Sequence, residues 1–105
     1  MSQFDLYANT NKETHKTYPY FVEVQNDILE SLNSRIVIPL TAVTKTEKPY
    51  PENLCPVINI EGKKFILLTQ QMTTIPISFL KKKERSLAKY RIDIISAIDF
   101  LITGI

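Results

Sequence analysis

Apolar and polar positions alternate over the first four-fifths of this chain, and the period changes near Glu84. In "QFDLY", Gln3 to Tyr7, Phe4 and Leu6 share one face, the two-residue period of a half-buried strand. "TYPYFVEVQ", Thr17 to Gln25, places Tyr20, Val22 and Val24 on one face and Phe21 and Glu23 on the other. Pro19 cannot donate to a ladder, which predicts that the early part of this strand lies at a sheet edge. "RIVIPLT", Arg35 to Thr41, is an almost continuous apolar strand, predicted to end at Pro39 or just after it. "CPVINI", Cys55 to Ile60, and "KKFILLT", Lys63 to Thr69, form a predicted hairpin through Glu61 and Gly62. "TIPISFL", Thr74 to Leu80, is a further short strand. Ala8 to Lys16 and the proline-rich Lys45 to Asn53 are polar loops, and Asn26 to Ser34 is either a helical turn or a loop.

Beyond Glu84 the spacing is helical. At 100° per residue Leu87, Tyr90, Ile94, Ala97, Ile98, Leu101 and Ile105 share one face, opposite Lys89, Asp93, Ser96, Asp99 and Thr103. This predicts an amphipathic helix of up to about twenty residues, with Ser86 as its N-cap and Gly104 at its end. Ile92 and Phe100 fall on the polar half. With Ile102 they are surplus to one core stripe, and such surplus marks association between copies or with a partner. The predicted architecture is a small antiparallel β-domain followed by one C-terminal helix.

Composition narrows the function. A chain of 105 residues is expected to form one domain, residues 1–105, with its own core. A net charge of +2 does not suggest a nucleic-acid binder, and the "KKKER" run, Lys81 to Arg85, is read as a solvated loop. The single cysteine, Cys55, rules out an internal disulfide and a thiolate metal cluster. The first residues lack a basic start followed by an apolar core, and no apolar run approaches the roughly 18 residues of a membrane span, so a cytoplasmic location is expected.

Catalytic constellations are thin. His15 is the only histidine and sits in a polar loop, where solvation is the better reading than general-base work. Cys55 precedes Pro56 in an apolar strand, which favours packing over nucleophilic chemistry. Two glycines, Gly62 and Gly104, cannot build a phosphate-binding loop. No metal-ligand cluster and no cofactor motif is present in the sequence. The uncharged "TQQMTTIP", Thr69 to Pro76, is read as turn chemistry.

Five segments in order resemble the CcdB family of toxins: "FVEVQND", "RIVIPL", "LCPVINI", "QQMTTIP" and a helix ending in "AIDFLITGI". The resemblance implies an SH3-like antiparallel β-barrel with a small extra sheet and a C-terminal helix. It implies a homodimer that binds the GyrA subunit of DNA gyrase and traps the enzyme after it has cut DNA. It also implies neutralisation by a CcdA-type antitoxin, and no catalysis, cofactor or metal. Carried over by position, the gyrase-facing residues are Asn26, Ile28 and Leu29, then Arg91, Ile95, Ser96 and Asp99 on the outer helix face, and Ile102, Thr103, Gly104 and Ile105 at the end. The loops Ala8 to Lys16 and Lys45 to Asn53 are the expected antitoxin surface, where lysines suit an acidic tail.

One departure stands out. The family's best-known members have tryptophan immediately before the final Gly-Ile, stacked on an arginine of GyrA. This chain has Thr103, which offers no flat π-face. Two alternatives follow: a homologue that binds antitoxin but poisons gyrase weakly or not at all, and a MazF-like endoribonuclease that recruits Arg35 and Asp27.

Overall fold

The computed structural model describes residues 2–29, 31–44 and 50–104. Among these, seven strands form one antiparallel sheet: β1 (Asp5–Ala8), β2 (Tyr20–Glu23), β3 (Ser34–Ala42), β4 (Val57–Ile60), β5 (Lys63–Leu67), β6 (Thr73–Pro76) and β7 (Lys83–Ser86). Six run side by side in the order β4-β5-β3-β2-β1-β7, and β6 branches off to pair with the start of β3. The result agrees with the expected antiparallel β-fold with a C-terminal helix: a half-barrel of six strands, an extra strand in place of a separate small sheet, and α1 (Arg91–Thr103).

The alternation seen in the sequence sets the two faces. Leu6, Val22, Ile38, Leu40, Ile58 and Leu67 point to the main core, where Leu87 and Ile94 close over them. Full burial of each such side chain is worth about 1.5–3 kcal/mol. Tyr20 meets Phe65 edge to face, ring centres 5.2 Å apart. The opposite face of β1, β2 and β3 carries Tyr7, Phe21 and Val37, packed with Ile75 and Leu80. At the β4–β5 hairpin both Glu61 and Gly62 have positive φ, 52° and 81°. That is the backbone a two-residue type I′ turn requires.

Several expectations change. Pro39 does not end β3, which runs to Ala42. Leu68 N–H donates to Pro39 O at 3.0 Å, so the proline nitrogen faces the same side. Its missing donor falls between β6, whose pairing stops at Val37, and β5, whose pairing starts at Leu40. Pro19 marks the start of β2, an interior strand between β1 and β3, not an edge. The first strand begins at Asp5, because Phe4 adopts φ 71° while its ring is buried. Hydrogen bonds from Phe4 N–H to Glu23 O (2.6 Å) and from Leu87 N–H to Phe4 O (2.7 Å) hold that uncommon backbone. The strand expected to reach Leu80 stops at Pro76 and continues as a 3-10 turn, Ile77–Phe79.

The "KKKER" run is also not simply a loop. Lys83–Ser86 form β7, paired with β1 at the sheet edge, with all four residues exposed. Alternation gave no signal there, because an edge strand can be polar on both faces. The strand delays the helix. A 3-10 turn, Ala88–Tyr90, precedes α1, and Ser86 Oγ accepts from Ala88 N–H at 3.1 Å ahead of that turn. Ser86 therefore closes the strand-to-turn corner and is not the cap of α1.

Candidate functional site

The C-terminal end of α1 is built by a left-handed cap. Gly104 has φ 73° and ψ 17°, and its N–H returns to Phe100 O at 2.9 Å. Such a cap satisfies a late helix carbonyl and ends the helix. Just before it, Ile102 is 72% exposed, and Thr103 is exposed with its hydroxyl donating to Asp99 O at 2.7 Å. Arg91, Ser96 and Asp99 are exposed along the helix, whereas Ile95 is half-buried against the main core. Ile105 lies outside the described residues. Of the surplus apolar residues, Ile92 is 77% exposed and Phe100 is half-buried. Phe100 lines a cavity of about 340 Å³ with Pro56, Asn53, Ser96 and the acidic Asp93 and Glu52.

The Asn26–Leu29 segment forms a second group. Asp27–Leu29 is a 3-10 turn, opened by Asn26, whose side-chain oxygen accepts from Ile28 N–H at 2.9 Å. Asp27 accepts from Gln3 N–H at 2.6 Å, which ties the turn to the N-terminal segment. Ile28 is 85% exposed, and Leu29 and Leu32 are close to half exposed. From inside, the amide of Gln25 donates to Leu29 O at 3.0 Å and accepts from Ile36 N–H at 3.2 Å. Arg35 Nη1 donates to Leu32 O and, at 2.9 Å, to Ser34 O.

Sequence reasoning missed the role of Arg35. It is 1% exposed, and its Nε lies 3.3 Å from Glu23, which is 2% exposed. The signal was available: Glu23 and Arg35 are lone charges of opposite sign in two apolar strands that turned out to be neighbours. Nearby, Lys83 sits 3.2 Å from the buried Asp5. Burial, and then the charges of Asp5 and Glu23, push the Tyr7 hydroxyl up to about 12. Burial also raises the Glu23 carboxyl above its ordinary value, against the pull of Arg35.

A raised carboxyl binds its proton more tightly in the folded chain than in the unfolded one. Its stabilising contribution is complete below the unfolded value and is lost as pH rises through the folded one. Glu23→Gln removes this titration. The melting-temperature difference, wild type minus variant, is therefore expected to shrink between pH 4 and pH 7. A constant or widening difference in thermal melts would contradict the assignment.

A family model described as CcdB protein matches residues 3–104, nearly the whole chain. The chain belongs to the CcdB family. CcdB proteins are the toxins of CcdA/CcdB modules, they target gyrase, and they poison it without catalysing a reaction.

In this CcdB chain the residues first weighed for catalysis have other positions. His15 is exposed, and its backbone N–H closes a turn onto Asn11 O. Cys55 is buried with its thiol 3.1 Å from Gln70 Oε1, and burial raises its pKa, which disfavours the reactive thiolate. Among the described residues no group of three or more His, Cys, Asp or Glu could hold a metal ion. No described helix is long and apolar enough to cross a membrane. Of the two loops expected to meet antitoxin, Asn9 organises the first by donating to Thr14 Oγ1 and Tyr18 O. That loop borders a cavity of about 370 Å³ floored by Phe21, Ile75 and Phe79. In the second loop, residues 45–49 lie outside the described residues.

Proposed function

We propose that this chain, acting as one toxin domain in the cytoplasm, forms a homodimer that binds GyrA and traps gyrase after DNA cleavage. A CcdA-type antitoxin relieves the poisoning. The observation that carries this reading is the helix end. Ile102, Thr103 and Gly104 are all exposed there, and the helix ends at a left-handed glycine. Asn26, Ile28 and Leu29 form a second exposed group. In this reading Arg91, Ile95, Ser96 and Asp99 on the helix and the terminal Ile105 contribute to the same contact. The ribonuclease alternative loses support, because the guanidinium of Arg35 is buried and Asp27 is bonded to Gln3 N–H.

The test is purified protein with gyrase, ATP and supercoiled DNA, read as linear DNA after protein denaturation. Dose-dependent linear DNA is expected, and its absence would overturn the reading. One observation favours a weaker poison: the Thr103 hydroxyl is turned back onto Asp99 O and presents no aromatic face. Thr103→Trp is therefore expected to raise potency by about tenfold, the scale of one added cation–π contact in a desolvated site. Unchanged potency in the same cleavage assay would show that this position makes no stacking contact.

A further inference from the structure

In the Asn26–Leu29 turn and at Leu32, Ile28 is largely exposed and Leu29 and Leu32 are about half exposed, so side-chain burial alone gives this backbone limited support. That backbone is held from inside the protein. Two buried side chains reach its carbonyls: Gln25, 5% exposed, donates to Leu29 O, and Arg35, 1% exposed, donates to Leu32 O. Each is itself fixed by a neighbouring strand. Gln25 accepts from Ile36 N–H, and Arg35 is paired with Glu23 on β2.

We propose that the buried Glu23–Arg35 pair and Gln25 form a clamp that holds the segment carrying Ile28, Leu29 and Leu32 in its partner-binding conformation. Arg35 and Gln25 are positioning residues, and neither touches the partner. This rests on the reading above, in which that segment meets GyrA. A segment ordered in advance binds without the entropic cost of being ordered on contact, and affinity scales with the fraction of molecules in the competent conformation. A carbonyl fixed from behind leaves the apolar side chains free to be buried by the partner. The arginine suits this use because its planar fork can hold Glu23, the loop carbonyl of Leu32 and the carbonyl of Ser34 at the start of β3 at once, which a lysine ammonium cannot do in the same geometry.

The experiment measures binding to purified GyrA alongside amide hydrogen exchange, for wild type, Arg35→Lys, Gln25→Leu and Ile28→Asp. Arg35→Lys keeps the charge beside Glu23 but loses the forked reach, and is expected to weaken binding about tenfold. Gln25→Leu keeps the shape but loses the bond to Leu29 O, and is expected to weaken it about threefold. In both variants the amides of Leu29 and Leu32 should exchange faster, while Gly104 N–H, at the far end of the helix, keeps its wild-type rate. Faster exchange with unchanged affinity overturns the clamp, and so does unchanged exchange. If Arg35→Lys does not fold, Gln25→Leu alone decides. Ile28→Asp separates the two levels. Full affinity in that variant overturns the placement of the segment against GyrA and the clamp with it. Lost affinity in Ile28→Asp, with full affinity in both clamp variants, overturns the clamp alone.

Discussion

Deleting Gly104 and Ile105, or replacing Gly104 with glutamate, is expected to abolish gyrase poisoning while leaving the fold intact. An ideal Cβ at Gly104 would meet nothing within 4 Å, so the glutamate disturbs no packed neighbour at its Cβ. The structural cost is confined to the helix end. The deletion removes one capping hydrogen bond, worth about 1 kcal/mol. Glutamate must adopt φ 73°, which costs about 1 kcal/mol relative to glycine. Its charge adds about 0.3–1 kcal/mol by opposing the helix dipole. The functional cost is larger. A contact at the centre of an interface typically loses 2–4 kcal/mol when truncated, on the order of 100-fold in the protein needed. Linear DNA yield against toxin concentration measures the first effect, and thermal melting the second. Wild-type cleavage by either variant would show that the helix end is not the gyrase contact.

Arg35→Met should be among the most destabilising single changes in the chain. It leaves Glu23 at 2% exposure beside an apolar side chain, and breaking a buried ion pair from one side costs about 3–5 kcal/mol. For a domain of this size that is a fall in melting temperature on the order of 15 °C or more. The double change Glu23→Leu with Arg35→Met removes both charges, and most of that loss is expected to return, since apolar replacement of a buried pair is often neutral. Recovery of stability in the double variant separates an orphaned carboxylate from lost packing. If the double variant melts as low as Arg35→Met alone, packing around the guanidinium is the cause.

The strands that bury one face were legible, because a single strong periodicity speaks for each of them. Val22 is a core residue on the alternation alone, and Ile38 lies in a run that is apolar almost throughout. The Glu61–Gly62 turn was legible because few residue pairs tolerate two positive φ values. The element missed was β7, whose four residues are all exposed and whose place is set by pairing with β1. Such pairing is a backbone property and leaves no hydrophobic trace. The helix was read too long at its start for the same reason: the Leu87–Tyr90 spacing fits either an α-helix or a strand-to-turn corner. At the site, the exposure of Ile92 and Ile102 agrees with the apolar excess in the sequence, whereas Ile28 entered through the family resemblance. The support behind Ile28 was only half legible: the lone opposite charges of Glu23 and Arg35 stand out in their strands, but their pairing depends on β2 and β3 adjoining.

The two end strands of the six-strand path each carry a feature that discourages further pairing, and by different means. An open rim offers unpaired N–H and C=O groups to any extended peptide, its own copies included. At one rim, β7 presents Lys83, Glu84 and Arg85, all exposed, and carries none of the large exposed apolar residues. At the other, the outward N–H of Asn59 on β4 is taken by the Tyr90 hydroxyl at 3.0 Å. A protein that exposes as many apolar side chains as this one runs the risk of stacking into aggregates through its backbone. A charged strand at one end and the Tyr90 hydroxyl at the other make those two edges poorer templates, and they shift recognition toward side chains, which can tell one partner from another.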